Sequence, residues 1–436
     1  MGKVKMIAYL GNLRTYDNSF SSETLLLMLR KSDFFDNRSL HDENFKNSII
    51  DMAVKSAHSL FNGTFPLIKF PLHGKTIYSI DSLPNKLVLR KIYHNINYNV
   101  SINPTGRDLV VHNLHRLVGE GVPYRLYRLD IKKFYESFST KAVIDCLIGL
   151  PGLSPPSKTL IHELLSRYIS SGGTGIPRGL ALSALIAEVM MQDFDFSIHS
   201  KAGVYFYSRY VDDIVILTNG NENPKLFENE IVGHLPEGLT LHERKTQTRT
   251  ITDIVIPAKH GTPPLPKIQF DFLGYSVNVY EPEKKSGKKS HQHFRKVIID
   301  ISHSKVRKIK TRIIKSILAF SSTGNFDLLL NRIKFLTSNF SIQDFHRDSS
   351  KLAGIYYSYP EIADPENSKL QELDKFLKMA ILSKNGRVFS KFSTLLKPKE
   401  RRKLLKQSFL RGYKEKTMVY FHPTKIKEIQ KCWKYE

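Results

Sequence analysis

One stretch decides the fold: Phe206-Tyr207-Ser208-Arg209-Tyr210-Val211-Asp212-Asp213-Ile214-Val215-Ile216-Leu217. On both sides of its Asp-Asp pair the residues are mostly β-branched or aromatic, and Asn219-Gly220 supplies a turn after the second run. The pattern predicts an antiparallel hairpin with Asp212 and Asp213 at its tip. Two adjacent carboxylates repel each other, so we expect a divalent cation to compensate them. For an isolated pair the alternative is a solvated turn, where Asp is common.

The whole chain has an ordinary globular composition. Its 436 residues can bury a large core and hold two or three subdomains, with 41% hydrophobic and 25% charged residues. The two cysteines, Cys146 and Cys432, predict no disulfide framework, and no Cys/His cluster has zinc-site spacing. We find no long apolar run, so we expect neither a signal peptide nor a membrane span.

The positive charge is concentrated in the C-terminal third. Of the net charge of +25, residues 284–436 carry +22, from 35 Lys and Arg against 13 Asp and Glu. The remaining 283 residues carry +3, from 31 against 28. An excess concentrated in this way is typical of a surface that follows a polyanion backbone, so nucleic acid is the expected partner.

Four further segments surround the hairpin along the chain. Tyr124–Asp130 predicts a strand that ends in a third carboxylate, and an aromatic residue, Tyr135, follows five positions later. A Gly- and Pro-containing loop, Gly175–Gly179, precedes a helical pattern over Leu180–Phe196. The two segments after the hairpin are Leu241–Thr246 and Phe270–Tyr275.

In chain order the five segments resemble motifs A to E of the reverse transcriptase palm, and the resemblance covers residues 85–280. It implies an α+β fold of the right-hand polymerase type, with fingers, a palm of antiparallel sheet plus helices, and a mostly helical, basic thumb. The implied domains are an N-terminal extension and fingers (1–80), further fingers (81–123), the palm with motifs A to E (124–282) and the basic helical thumb or C-terminal region (283–436).

The resemblance implies a site for phosphoryl transfer to a primer 3′ hydroxyl. Asp130, Asp212 and Asp213 are the expected catalytic acids and metal ligands, with the least direct role for Asp213. They would serve two Mg²⁺ ions about 3.5–4 Å apart, or Mn²⁺ in their place. Lys245 matches the motif D lysine that protonates the leaving pyrophosphate or screens its charge, and a solvated lysine is the alternative.

Five residues are implied to bind the nucleotide: Arg107, Tyr135, Arg178, Gly179 and Lys91. Tyr135 would lie beneath the sugar and exclude a ribose 2′-hydroxyl, although such an aromatic is core packing in most other contexts. A guanidinium at Arg107 suits the triphosphate, and the alternative is a surface arginine paired with Asp108. Arg178 stands where retroviral members commonly have glutamine, which leaves the detailed nucleotide contacts open.

The remaining predictions concern the primer end and the helices. Motif E implies a primer grip at Phe272, Leu273 and Gly274, residues that would equally suit a strand core. Helical periodicity predicts two N-terminal helices, over Ser21–Lys31 with a cap at Ser21 or Ser22 and over Glu43–Phe61. In the thumb it predicts helices over Val306–Phe320, Phe326–Phe340, Leu370–Leu382 and Pro398–Leu410. The Lys284–Lys289 run predicts a basic linker, and His291 and His293 are expected to be solvated.

The branch resembled most is bacterial. Asp130–Ser137 and Ile176–Gly179 look most like the retron, group II intron and abortive-infection reverse transcriptases. Among these branches, the compact chain, the long N-terminal part and the basic helical C-terminal part look most like the antiphage enzymes. This implies a cytoplasmic RNA-directed DNA polymerase in phage defence that uses an RNA template, a DNA product and deoxynucleoside triphosphates. Further possible partners are a dedicated noncoding RNA, a second reverse transcriptase or further copies of the chain in a homo-oligomer. No membrane partner is expected. Two alternatives stay open: a retron-type enzyme that copies a dedicated structured RNA, and a non-catalytic nucleic-acid-binding scaffold.

Overall fold

The computed structural model describes residues 16–72, 74–102, 105–243, 246–251, 265–280, 294–344 and 349–433. Its helices and antiparallel strands confirm the predicted α+β class. The chain divides into two compact units, one of Met1–Ile102 with Tyr135–Met190 and one of Asn103–Phe134 with Met191–Glu436. The assignment of chain segments to fingers, palm and thumb stays a prediction. Within the described ranges, no helix is long and apolar enough to cross a bilayer.

The elements follow one another in a mixed order. The strands are β1 Leu67–Leu72, β2 Lys75–Ile80, β3 Tyr124–Asp130, β4 Val204–Tyr210, β5 Asp213–Thr218, β6 Gln247–Ile251, β7 Ile268–Phe272, β8 Tyr275–Tyr280, β9 Lys296–Ile301, β10 Asn339–Asp344 and β11 Ser349–Gly354. The helices are α1 Ser22–Leu26, α2 Lys31–Asp36, α3 Glu43–His58, α4 Leu83–Val100, α5 Arg107–Val118, α6 Phe134–Ser137, α7 Thr140–Gly149, α8 Pro155–Ser170, α9 Ala181–His199, α10 Pro224–His234, α11 His303–Thr323, α12 Phe326–Thr337, α13 Lys369–Leu382, α14 Arg387–Leu395, α15 Pro398–Leu405, α16 Phe409–Lys414 and α17 Pro423–Gln430.

The first unit contains α1 to α4, α7, α8 and the β1–β2 hairpin. Its N-terminal helices are shorter than predicted. The predicted Ser21 cap is present, but the helix ends at Leu26 because the Arg30 N–H donates to the Asp33 carboxylate, which begins α2. Helix α3 ends at His58 rather than at Phe61, where the backbone has turned to a left-handed φ of 64°.

The second unit contains a four-stranded antiparallel sheet in the order β4-β5-β3-β6. The predicted hairpin is confirmed as β4 and β5, joined by a two-residue turn of Val211 and Asp212. Val211 takes a left-handed φ of 60°, the hand that two-residue hairpin turns favour. The strand predicted at Tyr124–Asp130 is confirmed as β3, and it lies between β5 and β6.

A second sheet in this unit has the order β7-β8-β9. Strands β7 and β8 are joined by Leu273 and Gly274, which both have left-handed φ angles, 47° and 86°. One hydrophobic core joins this sheet to the C-terminal helices, from Val110 of α5 to Ile313 of α11 and Trp433 near the chain end. The core therefore makes the sheet and the basic helices one packed body.

Two of the predicted thumb helices are wrong in extent. The helix predicted to reach Phe340 ends at Thr337, and β10 then pairs with β11. The buried Asn339 side chain donates to the Gly412 carbonyl, and its oxygen accepts from the Tyr356 N–H, so tertiary contacts hold this segment as a strand. The predicted Pro398–Leu410 helix divides into α15 and α16, because the Asp374 carboxylate accepts the N–H of Phe409 and starts a new helix there. The predicted linker Lys284–Lys289 and the histidines at 291 and 293 lie outside the described residues.

Candidate active site

The two sequence-predicted acidic segments meet on neighbouring strands of the second unit. Asp130 is the last residue of β3 and pairs in register with Asp213, the first residue of β5. Directly opposed residues of an antiparallel pair have Cβ atoms about 4.5–5.5 Å apart. Asp130 is only 6% exposed, whereas Asp213 is partly open to solvent. Like charges placed this way destabilise the sheet unless a cation balances them.

The backbone holds the third acid against the same strand end. The N–H of Ile131 donates to the Asp212 carbonyl at 3.0 Å, which ties the hairpin turn to the residue after Asp130. On the other side, the His242 N–H donates to the Asp130 carbonyl at 2.7 Å and the Lys132 N–H to the Thr240 carbonyl at 2.9 Å. The end of β3 is therefore fixed between the acidic turn and the start of the predicted motif D. Lys245 itself lies outside the described residues.

Two cations lie within electrostatic range of Asp213. The Arg128 Nη2 atom is 4.0 Å from the Asp213 Oδ1 atom. Burial lowers the pKa of Lys305, as do the positive charges of Lys308, Arg107 and Arg312, while Asp213 acts in the opposite direction. Asp213 thus faces positively charged groups of the same unit, and neither Arg128 nor Lys305 was predicted from the sequence as a site residue.

The donor set fits a magnesium ion that shares its ligands with a substrate. No group of three or more His, Cys, Asp or Glu side chains that could hold a metal is found in the described part of the chain. Mg²⁺ does not need such a cage, because it is usually bound by one or two carboxylates together with phosphate oxygens and water. Asp130, Asp212 and Asp213 supply oxygen ligands only, which suits Mg²⁺ or Mn²⁺ rather than a softer metal.

An arginine clamp holds the acidic turn and was missed at the sequence level. Arg209 of β4, with a side chain only 4% exposed, donates through Nε and Nη2 to the two Asp195 oxygens at 2.8 and 2.7 Å. Its Nη1 donates to the Val211 carbonyl at 3.1 Å, and the Tyr207 hydroxyl donates to the same Asp195 carboxylate. The available signal was Asp195 between two phenylalanines, Phe194 and Phe196, in the last turns of α9. The clamp, defined as Arg209, Asp195 and Tyr207, joins that helix to the turn.

The first unit gathers three of the predicted nucleotide-binding residues. Arg178 donates through Nε and Nη2 to the Glu136 carboxylate at 2.8 and 2.9 Å, and its guanidinium lies 5.1 Å from the centre of the Tyr135 ring. Burial alone would raise the pKa of Glu136, but the hydrogen bonds from Arg178 outweigh it and lower that pKa. Gly179, with φ 108°, follows at once. Glu136 was missed, although it follows Tyr135 directly.

Glycines make this close approach feasible. A Cβ atom on Gly179 would lie 2.5 Å from the Ile77 side chain and 2.8 Å from the Tyr78 carbonyl of β2. The Tyr78 N–H donates to the Arg178 carbonyl at 2.8 Å, so the loop is held against β2. A Cβ on Gly175 would lie 2.2 Å from the Tyr135 carbonyl, which accepts the Ile176 N–H. Only glycine fits at these two positions.

Two predicted phosphate-binding residues have protein partners instead. Lys91 is 2% exposed, and its ammonium donates to the Asp17 carbonyl at 2.5 Å and to the Tyr16 hydroxyl at 3.3 Å. Its pKa is lowered by burial. Arg107, the first residue of α5, donates to the carbonyls of Leu273 and Ser358. The nucleotide-binding roles of Lys91 and Arg107 stay predictions.

The predicted primer grip lies at the β7–β8 connection. Phe272 closes β7 and is buried, and Leu273 and Gly274 form the two-residue turn. Phe272 is therefore strand core, whereas Leu273 and Gly274 form a partly exposed turn. The primer-grip role of the three residues stays a prediction.

Residues 84–277 match the model of one protein family, described as reverse transcriptase (RNA-dependent DNA polymerase). No curated protein matches the chain. Among solved structures, the chain is similar to apo telomerase from Candida tropicalis, with 12% identity over 84% of this chain and 64% of that one and a TM-score of 0.36. It is also similar to telomerase from Candida albicans in complex with a TWJ fragment of telomeric RNA, with 13% identity over 76% and 58% and a TM-score of 0.30. The chain thus spans less than two thirds of these telomerase chains.

The family match covers all five predicted motifs and none of the C-terminal helices. It includes Asp130, Asp212 and Asp213, which the fold brings to one strand end. Residues 84–277 therefore match the reverse transcriptase family.

Proposed function

We propose that this chain is an RNA-directed DNA polymerase that adds deoxynucleotides to a 3′ hydroxyl and acts in bacterial antiphage defence. The observation that carries the polymerase activity is the register pairing of Asp130 with Asp213 and the hydrogen bond that ties Asp212 to the same strand end. Facing carboxylates lower the stability of a sheet, and such a cost is typical of a functional site rather than of a structural one.

In this proposal Asp130 and Asp212 hold divalent metal, with Asp213 beside them. Bound Mg²⁺ would lower the pKa of the primer hydroxyl and neutralise charge on the leaving pyrophosphate. Arg128 and Lys305 balance the charge of Asp213 from the protein side. The +22 charge of residues 284–436 would hold the phosphate backbones of template and product.

The antiphage role rests on the resemblance of Asp130–Ser137 and Ile176–Gly179 to bacterial reverse transcriptases, and on the resemblance of the long N-terminal part and the basic C-terminal helices to those of the defence enzymes. The proposed partners are an RNA template, a DNA product and deoxynucleoside triphosphates, with a dedicated noncoding RNA, a second reverse transcriptase or a second copy of the chain as further candidates. A cytoplasmic location goes with this role.

The first test is incorporation of labelled deoxynucleotides by the purified protein with its co-purifying nucleic acid, in Mg²⁺. We expect a labelled product from the wild type and none from Asp212→Ala/Asp213→Ala, and the same pair should differ in protecting cells when phage plating is measured. A product covalently joined to RNA would favour a retron-type enzyme. If the wild type forms no labelled product while RNA is still bound to it, a non-catalytic scaffold would be favoured.

A second prediction concerns the sugar. If Tyr135 lies beneath the sugar, Tyr135→Ala should raise the use of ribonucleotides relative to deoxynucleotides by roughly 10–100-fold, since one steric contact contributes about 1–3 kcal/mol of discrimination. Tyr135→Phe keeps the ring and should leave the ratio unchanged. The measurement is the ratio of kcat/KM for matched ribo- and deoxynucleotides. Equal ratios in Tyr135→Ala and the wild type would contradict the assignment.

A further inference from the structure

Arg107 contacts the turn between β7 and β8 together with a second backbone carbonyl and two aromatic rings. Its Nε donates to the Leu273 carbonyl at 2.9 Å, and its Nη1 donates to the Ser358 carbonyl at 2.8 Å. Its guanidinium carbon lies 4.9 Å from the centre of the Tyr275 ring and 5.7 Å from that of Tyr359. One side chain therefore joins the start of α5, the turn and the segment after β11, all within the second unit.

The turn that Arg107 holds is conformationally demanding. Leu273 has a φ of 47°, a left-handed conformation that a residue with a Cβ atom adopts only at a cost in free energy. Its carbonyl accepts from Arg107, and the carbonyl of Gly274 accepts the N–H of Ser302 at 3.0 Å. Both central carbonyls of the turn are thus fixed from outside the hairpin. Their orientation depends on tertiary contacts, because the hairpin alone does not supply these donors.

The guanidinium fits this task better than an ammonium would. Two donors on different nitrogens reach two carbonyls while the guanidinium carbon lies over two rings, of which Tyr275 is fully buried. Lysine could satisfy one carbonyl, but its compact ammonium cannot span both and stack. With both carbonyls bound, the Nε and Nη1 donors are not available to a triphosphate.

We propose that Arg107 is a positioning residue for the primer terminus: by fixing the Leu273 carbonyl it orients the Phe272-Leu273-Gly274 turn against the 3′-terminal nucleotide of a nucleic-acid primer. This role rests on the proposed polymerase function. It replaces the triphosphate contact that the sequence predicted for Arg107, and the two roles differ in which substrate they affect.

The test separates those substrates in the full-length protein. For Arg107→Gln we expect the KM for a primer–template to rise by at least tenfold while the KM for the deoxynucleotide stays within twofold of the wild type. Arg107→Lys should have a KM for the primer–template between that of the wild type and that of Arg107→Gln. The control is Asp108→Asn. The Asp108 carboxylate is exposed and its contact with Arg107 Nη1 is long, at 3.4 Å, so this substitution should change neither KM. A rise in the KM for the deoxynucleotide alone would overturn the proposal in favour of a triphosphate contact.

A binding measurement without deoxynucleotide keeps the inference independent of catalysis. Using fluorescence anisotropy, we expect the wild type to bind an RNA–DNA duplex with a recessed 3′ end more tightly than the same duplex with blunt ends, and Arg107→Gln to lose that preference. Tyr359→Leu, which removes one ring beneath the guanidinium, should weaken the preference in the same direction if Arg107→Gln does not fold. A preference that survives in the folded variants, or is absent from the wild type, overturns the proposal. A wild type that binds recessed ends without incorporating nucleotide would instead count against the polymerase function alone.

Discussion

Asp130→Asn and Asp212→Asn should each lower deoxynucleotide incorporation by about 10³-fold or more, because each removes a charged oxygen ligand from the proposed metal site. Asp213→Asn should have a smaller effect, about tenfold, since this carboxylate already faces Arg128 across 4.0 Å. The measurement is the single-turnover extension rate over a range of Mg²⁺ and Mn²⁺ concentrations. The matched control is Asp145→Asn, an exposed carboxylate on α7.

The same variants should behave differently in stability. Asp130 and Asp213 face each other across the β3–β5 ladder, so neutralising Asp130 removes a like-charge repulsion worth about 0.2–1 kcal/mol. We therefore expect the thermal midpoint of Asp130→Asn in EDTA to be no lower than that of the wild type. An Asp130→Asn variant that keeps more than a tenth of the wild-type rate, with an unchanged metal dependence, would contradict the assignment of the metal ligand.

Arg209→Ala should lower incorporation by about 10²-fold, although Arg209 is not proposed to touch any substrate. Its guanidinium holds the Val211 carbonyl and the Asp195 carboxylate, and without it the turn that carries Asp212 loses its attachment to α9. Breaking a buried ion pair costs about 3–5 kcal/mol. We expect the low end of that range here, because the Asp195 side chain is 31% exposed.

The informative readout for Arg209 is the metal dependence. A displaced Asp212 should raise the Mg²⁺ concentration needed for half-maximal rate, while the KM for the primer–template stays near the wild-type value. Arg209→Lys should recover part of the stability through Asp195 but little of the metal dependence, since lysine cannot hold both partners in the same way. Arg249→Ala, on an exposed position of β6 in the same sheet, is the control. If Arg209→Ala lost stability but kept the wild-type metal dependence, the clamp would be a structural contact only.

Sequence patterns were sufficient to predict those strands, turns and helices that depend mainly on neighbouring residues. The β4–β5 hairpin, the end of β3 at Asp130 and the helix after Gly179 each follow from the types of residue within a window of about ten to twenty positions. The order of the five motifs then led to the prediction that the acids lie together, because the motifs resemble those of a reverse transcriptase palm. The structure sets Asp130 opposite Asp213 in the register of β3 with β5.

Other features were decided by contacts between distant parts of the chain. The Arg107 guanidinium binds carbonyls 166 and 251 residues away, and no local pattern distinguishes it from an arginine that binds phosphate. The same holds for Asn339, whose buried amide bonds to Gly412 and Tyr356 turn the end of a predicted helix into a strand.

The sequence by itself therefore determined the α+β class and the acidic hairpin, and it singled out three acids as candidate metal ligands, because these depend on periodicity, turn residues and motif order. Only the tertiary structure decided which distant groups contact each predicted segment: the Arg209 clamp at the acidic turn, the Arg107 contacts at the predicted primer-grip turn, and the close approach of Gly175 and Gly179 to their neighbours in the first unit. The physical reason is that a side-chain hydrogen bond or a steric limit depends on which distant groups the fold brings within about 3 Å. The types of the neighbouring residues along the chain do not determine which groups these are.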